Sequence, residues 1–552
     1  MPASENNAVS PRVQRLHQIL LWPLRLMPIG DAPGAPRRPW ERLAAVADSP
    51  WREVADEYTG GPQNFHERHY QEFVTFLPYV QRFLYGEGAE GGAGSGMKVF
   101  RRHDVQQLRV QTRPQDAPLL LEVVHVDLYF FFDVDVVLLN VEVSSSDLAL
   151  AQAQELMYRL GRAYPPGWDA QGMPLHCLAQ AEWLDAEGLV LSSSDSRERE
   201  RFIEHVHRHR APRLATHWDW LLRPLLNHAS EEARAQPGAL SYRQIEYYRM
   251  PMMAYLAVDE PRALTRSDFV RLGLVTGSGP VAQEGSLPYG EDHLSDFERR
   301  YCYDRFWSDG GAAPQTRYLC SGHALVVVGR ADAEFFSCRD RGVLAQFRHQ
   351  HFLIFLIAHF QKAALLMFSD RLVEALRRLN VQDPENVRRF KRAIRSAFEG
   401  FLRFTHRYWF HDVAEQAQSR ALFRMCAEHL GLDALHAEVK QRVTDMSAYL
   451  ETDSIRRQAN TVVRLTVVTI FGLVGTITTG FLGMNLLAEA DAPWTERLGY
   501  FAGVLAVTMA LTVYTMVKSK RLSDFLDALS DERLSAWDKL RAFAAVWRSG
   551  PG

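Results

Sequence analysis

Asn485 stands just past the end of an uncharged run of 18 residues, 465–482, as the last letter of Gly483-Met484-Asn485. As a helix that run measures about 27 Å, close to the hydrocarbon thickness of a bilayer. A loop of about 13 residues separates it from a second apolar run, 498–517. Two membrane-length segments, a short loop and an amide side chain at the first helix end point to an ion pathway. Other constellations say less. His205 and His209 lie one helical turn apart, with His207 between, and could share a metal. Arg208, Arg210 and Arg213 beside them repel a cation, so a solvated helix end is expected. The chain carries no Ser-His-Asp, P-loop or HExxH pattern and reads as a non-enzyme.

The elements that position Asn485 follow from pattern and charge. Counting back from Gly480, helical phase puts Thr476, Leu473, Thr469, Thr466 or Leu465, and Val462 on one face. A threonine in a membrane helix ordinarily bonds its own backbone, and glycines and threonines together favour close helix approach. Arg456, Arg457 and Arg464 precede the first span, and Lys518, Lys520 and Arg521 follow the second. The loop between holds Glu489, Asp491 and Glu496 against Arg497. Positive-inside bias therefore predicts a multi-pass protein of the inner cell membrane, both termini cytoplasmic, with Trp494 and Tyr500 at the outer interface. Lys518, Lys520 and Arg521 also suit lipid headgroups.

At 552 residues and 47% hydrophobic content the chain has room for two or three domains. A net charge of −3 gives no reason to expect nucleic acid as a partner. Five scattered cysteines without CxxC spacing read as reduced intracellular thiols. Residues 1–97 read as a partly ordered extension with helical stretches and a Gly-rich linker at 86–96; the apolar run 19–24, interrupted by Pro23, is too short for a signal peptide. Residues 98–340 read as a cytoplasmic α/β domain. Strands are expected at 119–126, 128–132 and 136–143, with Asp127, Asp133 and Asp135 between them. Ser144 to Asp147 should cap a helix running to about Arg162, and 196–209 and 242–248 look helical. Residues 341–461 form a helical region and stalk in which 352–358, cut short by His359, Gln361 and Lys362, is a buried soluble helix rather than a span. From Asp433 no stop appears before Gly483, so one helix of about 75 Å should run into the membrane, with Leu435, Val439, Val443, Met446 and Leu450 as a packing seam. Residues 462–517 hold the two spans, and 518–552 a cytoplasmic amphipathic tail.

Over residues 431–521 this arrangement resembles the CorA family of divalent-cation channels, whose signature is a GMN triplet at the outer end of the first of two spans. The resemblance implies a homopentamer with the first span lining a pore for Mg2+, or for Co2+ or Ni2+. Asn485 would form the outer filter ring, Gly483 would permit the turn, and Met484 would pack. Gly480 and Thr476 would line the pore, Leu473, Leu465 and Val462 would gate it, and Glu489 and Asp491 would attract cations at its mouth. No cofactor is required; Mg2+ is the cargo, with a second, regulatory role between cytoplasmic domains in that family. Neither the aspartates at 127–135 nor Asp445, Glu451 and Asp453 on the stalk map onto that regulatory pattern. The long soluble portion and the C-terminal tail depart from the family. The rival reading is a membrane-anchored cytoplasmic sensor whose CorA-like hairpin does not conduct.

Overall fold

The computed structural model describes residues 11–28, 38–54, 66–86, 96–236, 238–246, 248–278, 289–377 and 383–483, with scattered positions between 493 and 514. Two compact units divide the chain, Met1–Val443 and Thr444–Gly552.

The first unit is α/β, built on a mixed fourteen-stranded sheet. Its centre is the strand Arg12–Leu26, which pairs antiparallel with Val136–Ala149 along nearly its whole length. On the other side it pairs with Met252–Val258 and, further on, with Ser241–Gln244. Residues expected to be only partly ordered thus form the spine of the sheet. The apolar run 19–24 suits a strand buried on both faces. Pro23 is tolerated because of where it falls. Leu21 donates its amide to Pro251 O, so two residues on the missing N–H points to the same side. There it meets the seam between the two neighbours, past the Leu20–Met252 pair and before the Leu24–Gln244 pair.

Three other local readings yield to tertiary pairing. Leu119–Phe131 is one strand running through Asp127, not two strands flanking it. Ser144 to Asp147 do not cap a helix; they continue the strand Val136–Ala149, because the first strand pairs as far as Arg12 opposite Ala149, and the helix begins at Leu150. Residues 241–244 are a strand rather than the start of a helix.

Helices cover both faces of this sheet. On one, Leu16, Leu20, Trp22 and Leu24 of the first strand join Leu156, Trp218 and Trp183 in the main core, where Trp218 meets Trp22 and Trp183 edge-on. On the other, Phe131 stacks on Phe360 at 3.9 Å and Tyr129 meets Phe352. Phe352 and Phe360 belong to Phe352–Arg377, which a π-helical turn, Phe347–His351, precedes. The stretch Val343–Arg377 is the one helix, among the described residues, long and apolar enough to cross a membrane, yet 83% of its apolar window is buried. It is a core helix, as His359, Gln361 and Lys362 indicate.

The helical end continues through Pro384–Arg407 and Ala417–Leu430, with Trp409 in their connection. Gly431 takes a left-handed φ of 66°, which ends the second of these. The stalk helix Leu432–Gly483 then runs for 52 residues, about 78 Å.

Candidate ion pathway and the charges buried beside the sheet

The stalk helix carries Val462, Leu465, Leu473, Thr476 and Gly480, five of the residues singled out from the sequence. Near its start Val439 and Val443 are buried, and Leu435 and Met446 half-buried, so the lower seam is used in packing. In the second unit the helix has two different sides. Val467 and Gly475 are buried. On the opposite side Val462, Leu465 and Leu473 are 60–67% exposed, in phase with exposed Thr469, Thr476 and Gly480. The face chosen by counting back from Gly480 is therefore exposed, as are Thr461, Arg464 and Gly472 beside it, and it is apolar apart from its hydroxyls.

Those hydroxyls are held in one orientation. Thr466, Thr469, Thr476 and Thr479 donate to the carbonyls of Val462, Leu465, Gly472 and Gly475 at 2.8–3.0 Å. Each is the i−4 bond that threonine makes in an apolar helix. The hydroxyl proton is thereby committed to the backbone, and the oxygen keeps lone pairs to offer a cation or its water.

Gly483 is the last residue of the stalk helix. Met484, Asn485, Glu489 and Asp491 lie outside the described residues, as do Lys518, Lys520, Arg521 and the tail 518–552. Only parts of the run 498–517 are described; Trp494 and Tyr500 before and within it are 74% and 62% exposed. The structure thus brings Val462, Leu465, Leu473, Thr476 and Gly480 onto one face of the helix that ends at Gly483.

The aspartates at 127–135 do not form an open cation site. Asp127 is buried and held by Arg101 through two hydrogen bonds of 2.7 and 3.2 Å. Asp133, at a turn with φ of 62°, pairs with Arg403 and Arg407. Asp135 pairs with Arg371. A carboxylate so neutralised has no charge to spare for a divalent ion. His205 and His209 lie on the helix Arg199–His209 with ring centroids 4.5 Å apart. They line a cavity of about 380 Å³ with Arg201, Arg208 and Arg213, and with Glu204, Asp219 and Glu231, of which Glu204 and Glu231 pair with Arg208. Burial, then His209 and Arg213, lower the His205 pKa. No group of three or more metal-ligating side chains occurs among the described residues.

Sequence reasoning missed a row of charges buried where the helices meet the sheet. Glu142, 3% exposed, accepts from Arg348 Nε at 2.6 Å, and His17 Nδ1 approaches it at 3.4 Å. Arg348 comes from the π-helical turn and also reaches His125 Nε2 at 3.3 Å. Burial alone would raise the Glu142 carboxyl, but His17 and the Arg348 guanidinium hold it down at about 2. Burial and the neighbouring Arg101 lower His125. Further along the first strand, buried Arg25 bridges Asp370 and Glu374 of Phe352–Arg377. The signal was present, since a glutamate inside Val-Glu-Val and an arginine inside Pro-Leu-Arg-Leu are charges in runs that bury both faces. Their partners lie more than 200 residues away.

No protein-family model matches this chain, and no curated protein matches it. The resemblance to CorA channels therefore rests on residues 431–521 of the chain itself.

Proposed function

We propose that the protein is a CorA-like channel that lets Mg2+ pass inward across a membrane, as an oligomer with one stalk helix per copy around the pore. The observation that carries this reading is the exposed stripe of Val462, Leu465, Leu473, Thr476 and Gly480 on a 52-residue helix whose last residue, Gly483, is the first letter of the triplet. An apolar and hydroxyl-bearing stripe has no use in water. It is suited to a channel wall formed by several copies.

Each residue type has a physical task on that wall. Mg2+ dehydrates reluctantly, so a ring of Asn485 amide oxygens can hold the hydrated ion without stripping its waters. Neutral oxygens also bind weakly enough to release it. The outward oxygen of Thr476 offers a second contact to the hydration shell. Leu473 and Leu465 sit about 12 Å apart along the helix axis, and a narrow aliphatic passage of that length empties of water when it closes. The membrane potential favours entry of a divalent cation by about 4.6 kcal/mol per 100 mV, so no other energy source is needed.

The test is Mg2+ uptake into proteoliposomes loaded with a Mg2+-sensitive dye, comparing the wild type with Asn485→Ala. Uptake by the wild type that is lost or made unselective by the substitution is expected. A folded wild-type oligomer that moves no Mg2+ at either low or high internal concentration would overturn the proposal in favour of a membrane-anchored sensor.

A further inference from the structure

The helix Pro384–Arg407 buries one face and leaves the other to solvent. Phe390, Ile394, Ala397, Phe401 and Phe404 recur every three or four residues and are buried. Phe401 and Phe404 pack on Phe368 of the core helix Phe352–Arg377, and Phe404 also meets Phe360. The opposite face is basic. The helix carries six arginines and Lys391 against two carboxylates, Glu385 and Glu399. Arg388, Arg389 and Arg392 have side chains 73–77% exposed and share Glu385 at 3.4–3.9 Å. Arg395 is exposed too, and Arg403 and Arg407 share Asp133. Like charges one turn apart, as at Arg388 and Arg392, repel. An exposed ion pair is worth little, and one carboxylate among three guanidinium groups leaves the cluster net positive.

Packing aims this cluster. His351, just before the core helix, lies 3.5 Å from Gln418, and Ser369 accepts from Arg442 at 2.9 Å. Ala417–Leu430 and the foot of the stalk helix therefore run alongside the core helix in the same direction. Pro384–Arg407 runs back against it, since Phe404 meets Phe360 and Phe401 meets Phe368. Phe401 also stacks on His436 of the stalk at 5.6 Å. About 20 Å of helix separates Arg388 from Phe401. The arginines at 388–395 thus lie on the side of the first unit toward which the stalk helix leaves it.

We propose that the basic face of Pro384–Arg407 docks on the anionic phospholipid headgroups of the leaflet that the stalk helix enters. The proposal rests on the reading of 465–482 as a membrane span. Guanidinium forks match phosphate oxygens, and arginine outnumbers lysine six to one on this helix. Anionic headgroups draw polybasic segments held close to them, over a range of about 8 Å at physiological salt. Nucleic acid offers the same phosphates, but on that reading a membrane, not a duplex, is what the stalk holds on this side.

The full chain is placed in nanodiscs of phosphatidylcholine, alone or mixed with phosphatidylglycerol. It is treated with phenylglyoxal and digested, and mass spectrometry reads the modification rate of each arginine. Rates at Arg388, Arg389 and Arg392 should fall at least about threefold in the anionic discs and recover in about 1 M salt, where charges are screened within about 3 Å. Arg201 and Arg299, 64% and 78% exposed on other helices, should react alike in both. Equal rates at the three arginines in chain incorporated into both kinds of disc, or a fall shared by Arg201 and Arg299, would overturn this proposal and leave the membrane reading intact. Chain that does not incorporate into discs would overturn both. Protection by duplex DNA in neutral discs, with none by phosphatidylglycerol, would assign the face to nucleic acid instead.

Discussion

Replacing Arg348 by alanine should leave the Glu142 carboxylate in the helix–sheet interface without its main counter-charge. In the native chain the groups facing Glu142 are Arg348, His17 and His125, with Arg101 and Asp127 one strand pair away. The fall of its pKa from 4.5 to about 2 is worth about 3 kcal/mol of stability at neutral pH. That figure is the net of burial against His17, Arg348 and His125 together; removing one member of a buried pair costs about 3–5 kcal/mol, which is the loss expected for Arg348→Ala. The sign with pH is as important as the size. With a depressed folded pKa, the contribution is full above the unfolded value of 4.5 and is lost as pH falls through about 2. In Arg348→Ala burial dominates and lifts the folded pKa above the unfolded one. The deficit should then be largest at neutral pH and shrink as acid protonates Glu142. Urea unfolding of the full chain in detergent, followed by core tryptophan fluorescence between about pH 5 and pH 8, measures both. A second variant, Glu142→Gln combined with Arg348→Ala, should lose the pH dependence of the deficit. A deficit at neutral pH below about 0.5 kcal/mol, or one that does not change with pH, would refute the account of Glu142 as a buried, paired carboxylate.

Three further outcomes follow from the packing and from the proposed pore. Arg25→Met removes the bridge from the first strand to Asp370 and Glu374; the two carboxylates are partly exposed, so a loss of about 2–3 kcal/mol is expected in the same urea assay. Gly329→Ala would drive a Cβ into the Phe336 ring, which stacks on Tyr255 at 4.6 Å, and should cost about 1–3 kcal/mol through overpacking, read as a lowered melting midpoint. Leu473→Asn, at an exposed position of the stalk helix, should let water persist in the closed passage and give Mg2+ leak into liposomes at high internal Mg2+. Unchanged closure in that variant would remove Leu473 from the gate.

Local pattern alone made the stalk legible. Period is a property of contiguous residues, so one long helix could be read from the seam at Val439 and Val443 and the absence of a breaker between Asp433 and Gly483. Helical phase likewise assigned Val462, Leu465, Leu473, Thr476 and Gly480 to one face, and that face is exposed. The threonine back-bonds to the i−4 carbonyls were also foreseeable, because they need only one turn of helix. The sheet was not legible in the same way. Whether residues 12–26 are a loose extension or the central strand depends on partners at 136–149 and 252–258, which no local pattern names. Ser144 to Asp147 have good capping chemistry, but a long strand pairing offers more backbone hydrogen bonds than one cap and prevails. Asp127 looked like a strand end because a charge is unfavourable in a buried run. Only the fold supplied Arg101 on the neighbouring strand to make that burial tolerable. Composition and period thus determined the long helical end of the chain, and tertiary structure decided which charges lie inside the sheet and which partners keep them there.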